Sequence, residues 1–184
     1  MRKFFIFSLI GIAAIAAIVA FIGFMQLKST KSFSPEEEVV FDKEALSIKV
    51  FYNRPSKKGR EIFGGLVPYD QIWRTGANEA TTFETNRDLT IEGQTLKAGK
   101  YSLWTIPREN TWTIIFNSEH GQWGVNSKGE PNHNPELDVL KVDVHAVQQD
   151  QEFEQFTIAF EETGEDAEMV LIWDKTLVSV PFTY

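Results

Sequence analysis

Apolar and polar residues alternate along most of the chain after residue 45. Leu46, Ile48 and Val50 are separated by Ser47 and Lys49, which is the two-residue period of a half-buried β-strand. The alternation recurs to the C-terminus, with turn signals every 8–12 residues or so, and it predicts an all-β domain, a single antiparallel β-sandwich of about nine strands. The positions that we expect to face its core are Leu46, Ile48, Trp112, Ile114, Phe116, Val142, Val144, Phe156, Ile158 and Phe160.

Short turn signals set the boundaries of several predicted strands. Glu92-Gly93 separates residues 89–91 from residues 94–96, as the two-residue turn of a tight hairpin does. Residues 140–146 and residues 156–160 each show the two-residue period, and we expect two separate strands there.

The N-terminus has the pattern of a membrane segment. Residues 4–25 form an uncharged apolar run of 22 residues after Arg2 and Lys3. As a helix this run would span roughly 33 Å, enough for a hydrocarbon core of about 30 Å. A cleaved signal peptide is the alternative, but its apolar core is shorter, about 7–15 residues, and ends in small residues. The run ends at Phe24-Met25 without such a site, so we expect a transmembrane helix within residues 1–27.

The remaining boundaries follow from composition. Residues 28–44 are polar and contain Pro35 and three consecutive glutamates, which favours a short linker. Residues 45–184 then form one domain. The positive residues before the apolar run favour a cytoplasmic N-terminus. We therefore expect a chain that crosses the cell membrane once, with its β-sandwich on the extracytoplasmic, periplasmic side.

Charge and motif content exclude several classes of function. The chain after residue 34 contains 14 basic and 26 acidic residues, a net charge of −12, and such a domain repels phosphate backbones, so nucleic acid is not an expected partner. The absence of cysteine excludes a lipid-modified N-terminal cysteine, disulfides and thiolate ligands. His120, His133 and His145 do not converge in sequence, and no familiar catalytic or phosphate-binding motif occurs. We expect neither a metal nor a cofactor.

The best candidate for a site is the glycine-bounded segment of residues 64–82, in which residues 69–74 have the spacing of a helical turn. Arginine offers a planar fork of donors to carboxylate or phosphate, asparagine can donate and accept, and glutamate can accept. In the alternative interpretation an arginine–glutamate pair lies inside the domain with a tryptophan packed on it. The candidate ligand-binding residues of this segment are Tyr69, Trp73, Arg74, Asn78 and Glu79.

A second candidate is the segment of residues 117–124, which follows a predicted strand. Gly121 and Gly124 permit a tight loop that presents Gln122 and Trp123. An exposed tryptophan beside an amide suits stacking on a sugar or a peptide. The alternative is a core tryptophan that caps the sandwich, because tryptophan is highly buried on average.

A series of motifs between Ala45 and the C-terminus resembles a bacterial family known as domain of unknown function 2911. The resemblance extends to the closing Trp173-Asp174 and Val180-Pro181. It implies an exported protein with one β-rich domain, and it transfers no activity and no catalytic residue. The motifs occur in the order Tyr52-Asn-Arg-Pro55, Lys58-Gly-Arg60, Ile62-Phe-Gly-Gly-Leu-Val-Pro-Tyr69, Trp73-Arg-Thr-Gly-Ala-Asn-Glu-Ala-Thr81, Leu96-Lys-Ala-Gly-Lys-Tyr-Ser-Leu103, Thr105-Ile-Pro107, Trp112-Thr-Ile-Ile-Phe-Asn117 and Gln122-Trp-Gly124.

These observations together favour a ligand-binding or interaction module of the bacterial cell envelope. Its expected partners are a small molecule, a glycan or an envelope protein, besides the lipid bilayer around the N-terminal helix. Two alternatives stay open. One is an envelope hydrolase in which Glu79 is the general base and Arg74 positions an anionic group; the other is a purely structural envelope protein.

The long apolar run without a cleavage site predicts that the mature protein retains residues 1–27. The intact mass of the protein from the membrane fraction should therefore include this segment. A mature N-terminus near Lys28 would instead indicate a cleaved signal peptide and a secreted protein.

Overall fold

The computed structural model describes residues 2–163 and 166–184, in two compact units that divide the chain after Phe33. In the first unit helix α1 runs Arg2–Phe33, with Lys31 in its last turn, where a positive charge interacts favourably with the helix dipole. Among the described residues, no helix combines the length and the apolar character needed to cross a membrane. The membrane anchor inferred from the sequence stays a prediction.

The second unit is all-β, as the alternation predicts. Its strands form one sheet in the order β1-β2-β3-β6-β7-β8-β9-β4-β5, and every pairing is antiparallel. A short 3-10 helix, Pro135–Leu137, precedes β8. The nine strands of the described residues are β1 Glu36–Lys43, β2 Leu46–Asn53, β3 Thr82–Thr85, β4 Leu89–Ile91, β5 Gln94–Leu96, β6 Gly99–Ile106, β7 Thr111–Asn117, β8 Asp138–Thr163 and β9 Asp166–Thr183.

Strand β8 joins the two halves of this sheet. One half contains β1, β2, β3, β6 and β7, and the other contains β9, β4 and β5. Residues 138–145 pair with β7, whereas residues from Ala146 onward pair with β9. The buried core contains residues from both halves, so the sheet folds over itself in a sandwich-like arrangement. The two separate strands expected at residues 140–146 and 156–160 are parts of β8, and the register shifts between them explain why the sequence pattern is interrupted there.

Strand β1 lies inside the segment that the sequence pattern assigned to a linker. Only Phe41 of this strand is fully buried, and it is at the edge of the sheet, paired with β2 alone. Its polar positions include Glu36, Glu37 and Glu38. Charged residues on an edge strand discourage pairing with a second chain, and they also remove the apolar alternation by which a strand is recognised.

The predicted core positions are buried, with Phe160 packed half-buried against the core. The predicted hairpin is confirmed as well, since β4 and β5 pair directly. Its turn residues Glu92 and Gly93 have φ values of 48° and 74°, and positive φ at both central residues is the type I′ turn that suits the twist of a hairpin.

Tyr52 connects the two halves of the sheet across the core. Its hydroxyl accepts a hydrogen bond of 2.9 Å from the backbone N–H of Ile158, and both residues are buried. Burial raises the pKa of this hydroxyl, which keeps it protonated at neutral pH.

Replacing Tyr52 with Phe should destabilise the fold by about 1–3 kcal/mol, because the buried N–H of Ile158 loses its acceptor. Tyr101→Phe is the matched control: its hydroxyl donates to the carbonyl of the exposed Lys97, where water can replace it, so the loss should stay below about 1 kcal/mol. Urea unfolding of both variants measures the difference. Equal losses would show that the bond to Ile158 contributes little.

Candidate functional site

Trp73 anchors the candidate segment to the core of the domain. Its backbone exchanges two hydrogen bonds with Thr105 of β6, at 2.7 and 2.9 Å, and its indole Nε1 donates to the carbonyl of Gly76 at 3.0 Å. The indole is thus held by the core and by Gly76, and it packs on aromatic rings and not on the arginine–glutamate pair of the structural alternative. Its ring lies 5.0–6.1 Å, between centroids, from the rings of Phe63, Trp112, Phe156 and Trp173.

The segment is an irregular loop and not the expected helical turn. Asp70 and Thr75 have left-handed φ values of 59° and 55°, and the backbone pairing of Trp73 with Thr105 is that of an isolated bridge. A helical turn requires consecutive right-handed residues. The apolar spacing of the segment reflects the burial of Trp73 and Ile72 on opposite sides of β6, since each packs against a different core cluster.

Asn78 and Glu79 belong to a hydrogen-bond network that holds the end of the loop on β2. The side chain of Asn78 donates to Asn53 Oδ1 at 3.1 Å, and Asn53 Nδ2 donates to Glu79 Oε2 at 3.0 Å. Asn53 is fully buried and Asn78 nearly so. A buried amide needs such partners, so both residues help to fix the backbone that carries Arg74.

The side chain of Arg74 lies beside Gly124 and Ala80, and Ala80 belongs to the small cluster and not to the main core on which Trp73 packs. The Nε and Nη1 atoms of Arg74 are buried, and neither has a hydrogen-bond acceptor among the described residues. Burial lowers the pKa of the guanidinium, and the negative charge of Glu79 partly opposes this shift. Arginine stays protonated in proteins, so the site contains a half-buried positive charge with two unused donor nitrogens.

Arg74 lies directly against the second candidate segment. A Cβ atom added to Gly124 would be 2.5 Å from Arg74 Cδ and 3.2 Å from the backbone nitrogen of Ala80. That same nitrogen donates to the carbonyl of Gln122 at 3.1 Å. The side chain of Arg74 and the backbone of Gln122, which are far apart in the chain, therefore both lie close to Ala80. Trp123, between Gln122 and Gly124, is half-buried.

Tyr69 is placed at a different feature. It lines a cavity of about 380 Å³ together with Asp70 and Arg108, and neither Arg74 nor Gln122 lines this cavity. Arg108 Nε donates to Asp70 Oδ1 at 2.8 Å. Burial raises the pKa of the Tyr69 hydroxyl, and the nearby charge of Glu109 adds to this effect.

The structure also shows a polar network that the sequence pattern did not indicate. His133 Nε2 lies 2.7 Å from Asp138 Oδ1, and the two side chains are only 8% and 16% exposed. Asn117 Nδ2 donates to the same carboxylate oxygen at 2.8 Å, and the imidazole packs on Trp104. In the sequence His133 lies in the turn-rich segment Pro131-Asn-His-Asn-Pro135 and Asp138 follows it, a spacing that indicates no specific chemistry. Among the described residues no group of three or more possible ligands could hold a metal ion.

Comparison with known proteins gives one match. The model of the family described as "Protein of unknown function (DUF2911)" matches residues 34–182, which covers the β-domain and all the candidate site residues. No curated protein and no solved structure matches the chain.

The contact between Gly124 and Arg74 generates a prediction with an internal control. Gly124 and Gly121 have nearly equal φ values of 88° and 89°, so alanine at either position should cost about 1–2 kcal/mol in backbone strain. A Cβ at Gly121 meets nothing within 4 Å, whereas one at Gly124 collides with Arg74.

Gly124→Ala should therefore destabilise the fold by about 1–3 kcal/mol more than Gly121→Ala, because Arg74 must move. Chemical unfolding of the two variants measures this difference. If both lose the same stability, Gly124 does not constrain the position of Arg74.

Proposed function

The chain belongs to the DUF2911 family, and we propose that it is a binding module of the bacterial cell envelope whose ligand presents a carboxylate or a phosphate to Arg74. The observation that carries this proposal is the pair of buried nitrogens, Nε and Nη1, for which the described residues provide no acceptor. A buried donor without an acceptor costs about 1–3 kcal/mol, and more when it is charged. An anionic ligand would supply the missing acceptors.

The interaction of Arg74 with Glu79 leaves two guanidinium nitrogens without an acceptor among the described residues. The negative charge of the Glu79 carboxylate favours the protonated guanidinium, and its Oε2 atom also accepts a hydrogen bond from Asn53 Nδ2. A guanidinium forms short, charge-assisted hydrogen bonds with carboxylate or phosphate oxygens, often two at once. Glu79 therefore lessens the cost of burying the charge and leaves hydrogen-bonding capacity for a ligand.

The rigid surroundings also suit binding. Trp73 is fixed in the aromatic cluster, Asn78 is held by Asn53, and Gly124 lies against the Arg74 side chain. A side chain held in position before the ligand arrives loses little conformational entropy on binding. The location at the envelope is supported by the apolar run of residues 4–25 and by the basic residues before it.

Replacing Arg74 with Met should abolish anion binding with little loss of stability. Titration calorimetry of the full chain with phosphate, succinate, malate and citrate measures binding, and we expect at least about a 10-fold loss of affinity, since a hydrogen bond to a charged group contributes about 1.5–3 kcal/mol. The free energy of unfolding should fall by no more than about 1 kcal/mol, because the variant loses the attraction of Glu79 but also removes two buried donors that lack acceptors.

Arg87→Met is the matched control, because Arg87 is exposed and the variant changes the net charge equally. It should leave both affinity and stability unchanged. The purely structural alternative predicts the opposite for Arg74→Met: no acid binds to the parent protein, and stability falls by about 3–5 kcal/mol, as when one partner of a buried pair is removed.

A further inference from the structure

The cavity at Tyr69 is separate from the Arg74 site. Its volume of about 380 Å³ falls within the range of about 300–1,000 Å³ that is usual for ligand pockets. Neither Arg74 nor Glu79 lines it, so an occupant of this cavity is independent of the function proposed above. The lining comes from the loop before Trp73 and from the β6–β7 hairpin, and it consists of Tyr69, Asp70, Arg108, Glu109, Asn110 and Thr111.

The two parts of this lining are fixed to each other. The N–H of Asp70 donates to the carbonyl of Pro107 at 3.0 Å, which joins the loop to the hairpin. A Cβ atom added to Gly64 would be 2.9 Å from Tyr69 Cε2, so the backbone of Gly64 lies close against the tyrosine ring. Walls that are in place before a ligand arrives lower the entropic cost of binding.

The charged residues of the lining match neither an anion nor a cation. An anion would meet the carboxylates of Asp70 and Glu109 in a domain with a net charge of −12, and like charges repel. A cation would meet the guanidinium of Arg108, whose Nε donates to Asp70 Oδ1 at 2.8 Å. Asp70 and Arg108 oppose each other's charge, and Glu109 can accept hydrogen bonds from neutral donors. The lining therefore suits an uncharged ligand.

Hydrogen-bond donors and acceptors lie side by side in this lining. Arg108 uses Nε for Asp70 and Nη1 for Thr113 Oγ1, at 2.8 and 2.9 Å, and Asp70 accepts through Oδ1. Arg108 Nη2 is left as a donor and Asp70 Oδ2 as an acceptor beside it. Asn110 and Thr111 add side chains that both donate and accept. A ligand that fills the cavity must offer both kinds of group, as a hydroxyl does.

We propose that this cavity binds a neutral saccharide, with its hydroxyls on the Arg108–Asp70 pair and on Glu109 and its apolar C–H face on the ring of Tyr69. A saccharide combines adjacent hydroxyls with an apolar face, which are the two features that the polar pair and the aromatic ring require. Tyr69 is half-buried, so part of its ring remains accessible. An aromatic side chain with a polar end suits contacts that are apolar on one side and wet on the other.

Saturation-transfer difference NMR tests this proposal on the full chain, in a detergent without a sugar head group. The probes are the methyl glycosides of glucose, galactose, mannose, N-acetylglucosamine and xylose, with cadaverine as the cationic probe. We expect at least one glycoside to bind, with the strongest saturation transfer to its ring C–H protons, and titration then gives its dissociation constant.

Asp70→Asn is the most informative variant. Asparagine keeps Oδ1 for Arg108 but places an amide donor where the acceptor Oδ2 was, and it tolerates the left-handed φ of 59° at this position. Affinity should fall about 10-fold or more, because a hydrogen bond to a charged acceptor is lost. Tyr69→Ala should remove the transfer to the C–H protons. Asp150→Asn makes the same change of charge at an exposed position of β8 and should leave binding unchanged.

Three results would overturn the proposal. No glycoside binds the parent protein; or a glycoside binds the parent protein, Asp70→Asn and Tyr69→Ala equally well, which would place the saccharide elsewhere; or cadaverine alone binds, which would assign the cavity to a cation. If Tyr69→Ala fails to fold, Asp70→Asn still decides the question, because it exchanges two groups of nearly equal size. None of these results bears on Arg74, which does not line the cavity.

Discussion

The position of the candidate site depends on the packing of one side chain, the indole of Trp73. Its ring is enclosed by aromatic residues from β7, β8 and β9 and is stacked on Trp173 with an interplanar angle of 20°. Aromatic rings bury large areas and add about 0.5–1.5 kcal/mol per pair through their specific geometry. Trp73 packs on the main core, whereas the next residue, Arg74, lies beside Gly124 and Ala80. Although the loop that carries Arg74 is irregular, the packing of Trp73 fixes the position of Arg74.

Around Arg74, the side of the sheet that faces away from the main core combines apolar packing with polar groups that lack hydrogen-bond partners. Trp104, Ala80 and Ile115 form a small buried cluster there, close to the loops that carry Arg74 and Gln122. Buried polar groups without partners oppose folding, so such a surface lowers the stability of the protein. The main core, which is far larger, offsets this cost. Unsatisfied groups supported by a well-packed core are typical of binding sites, where local stability is lower than the surrounding fold could provide.

If this acidic domain binds an acid as proposed, it must discriminate by local contacts. The chain after residue 34 has a net charge of −12, so its overall field slows the approach of anions and does not attract them. The half-buried guanidinium of Arg74 acts at short range in a medium of lower dielectric constant, where its interaction with an anion is stronger than in water. This combination favours a specific ligand with matched hydrogen bonds over unspecific binding of anions.

The sequence by itself determined the all-β class, the β4–β5 hairpin and most of the buried positions, because these follow from local periodicity and turn chemistry. It did not reveal β1, whose glutamates hide the alternation, or the continuity of β8 across its register shifts. Only the tertiary structure decided that Trp73 belongs to the core, that Tyr69 lies at another cavity, and that the Arg74 side chain and the Gln122 backbone both lie close to Ala80. These contacts join residues distant in the chain, and local patterns contain no information on which distant backbone atoms will pair.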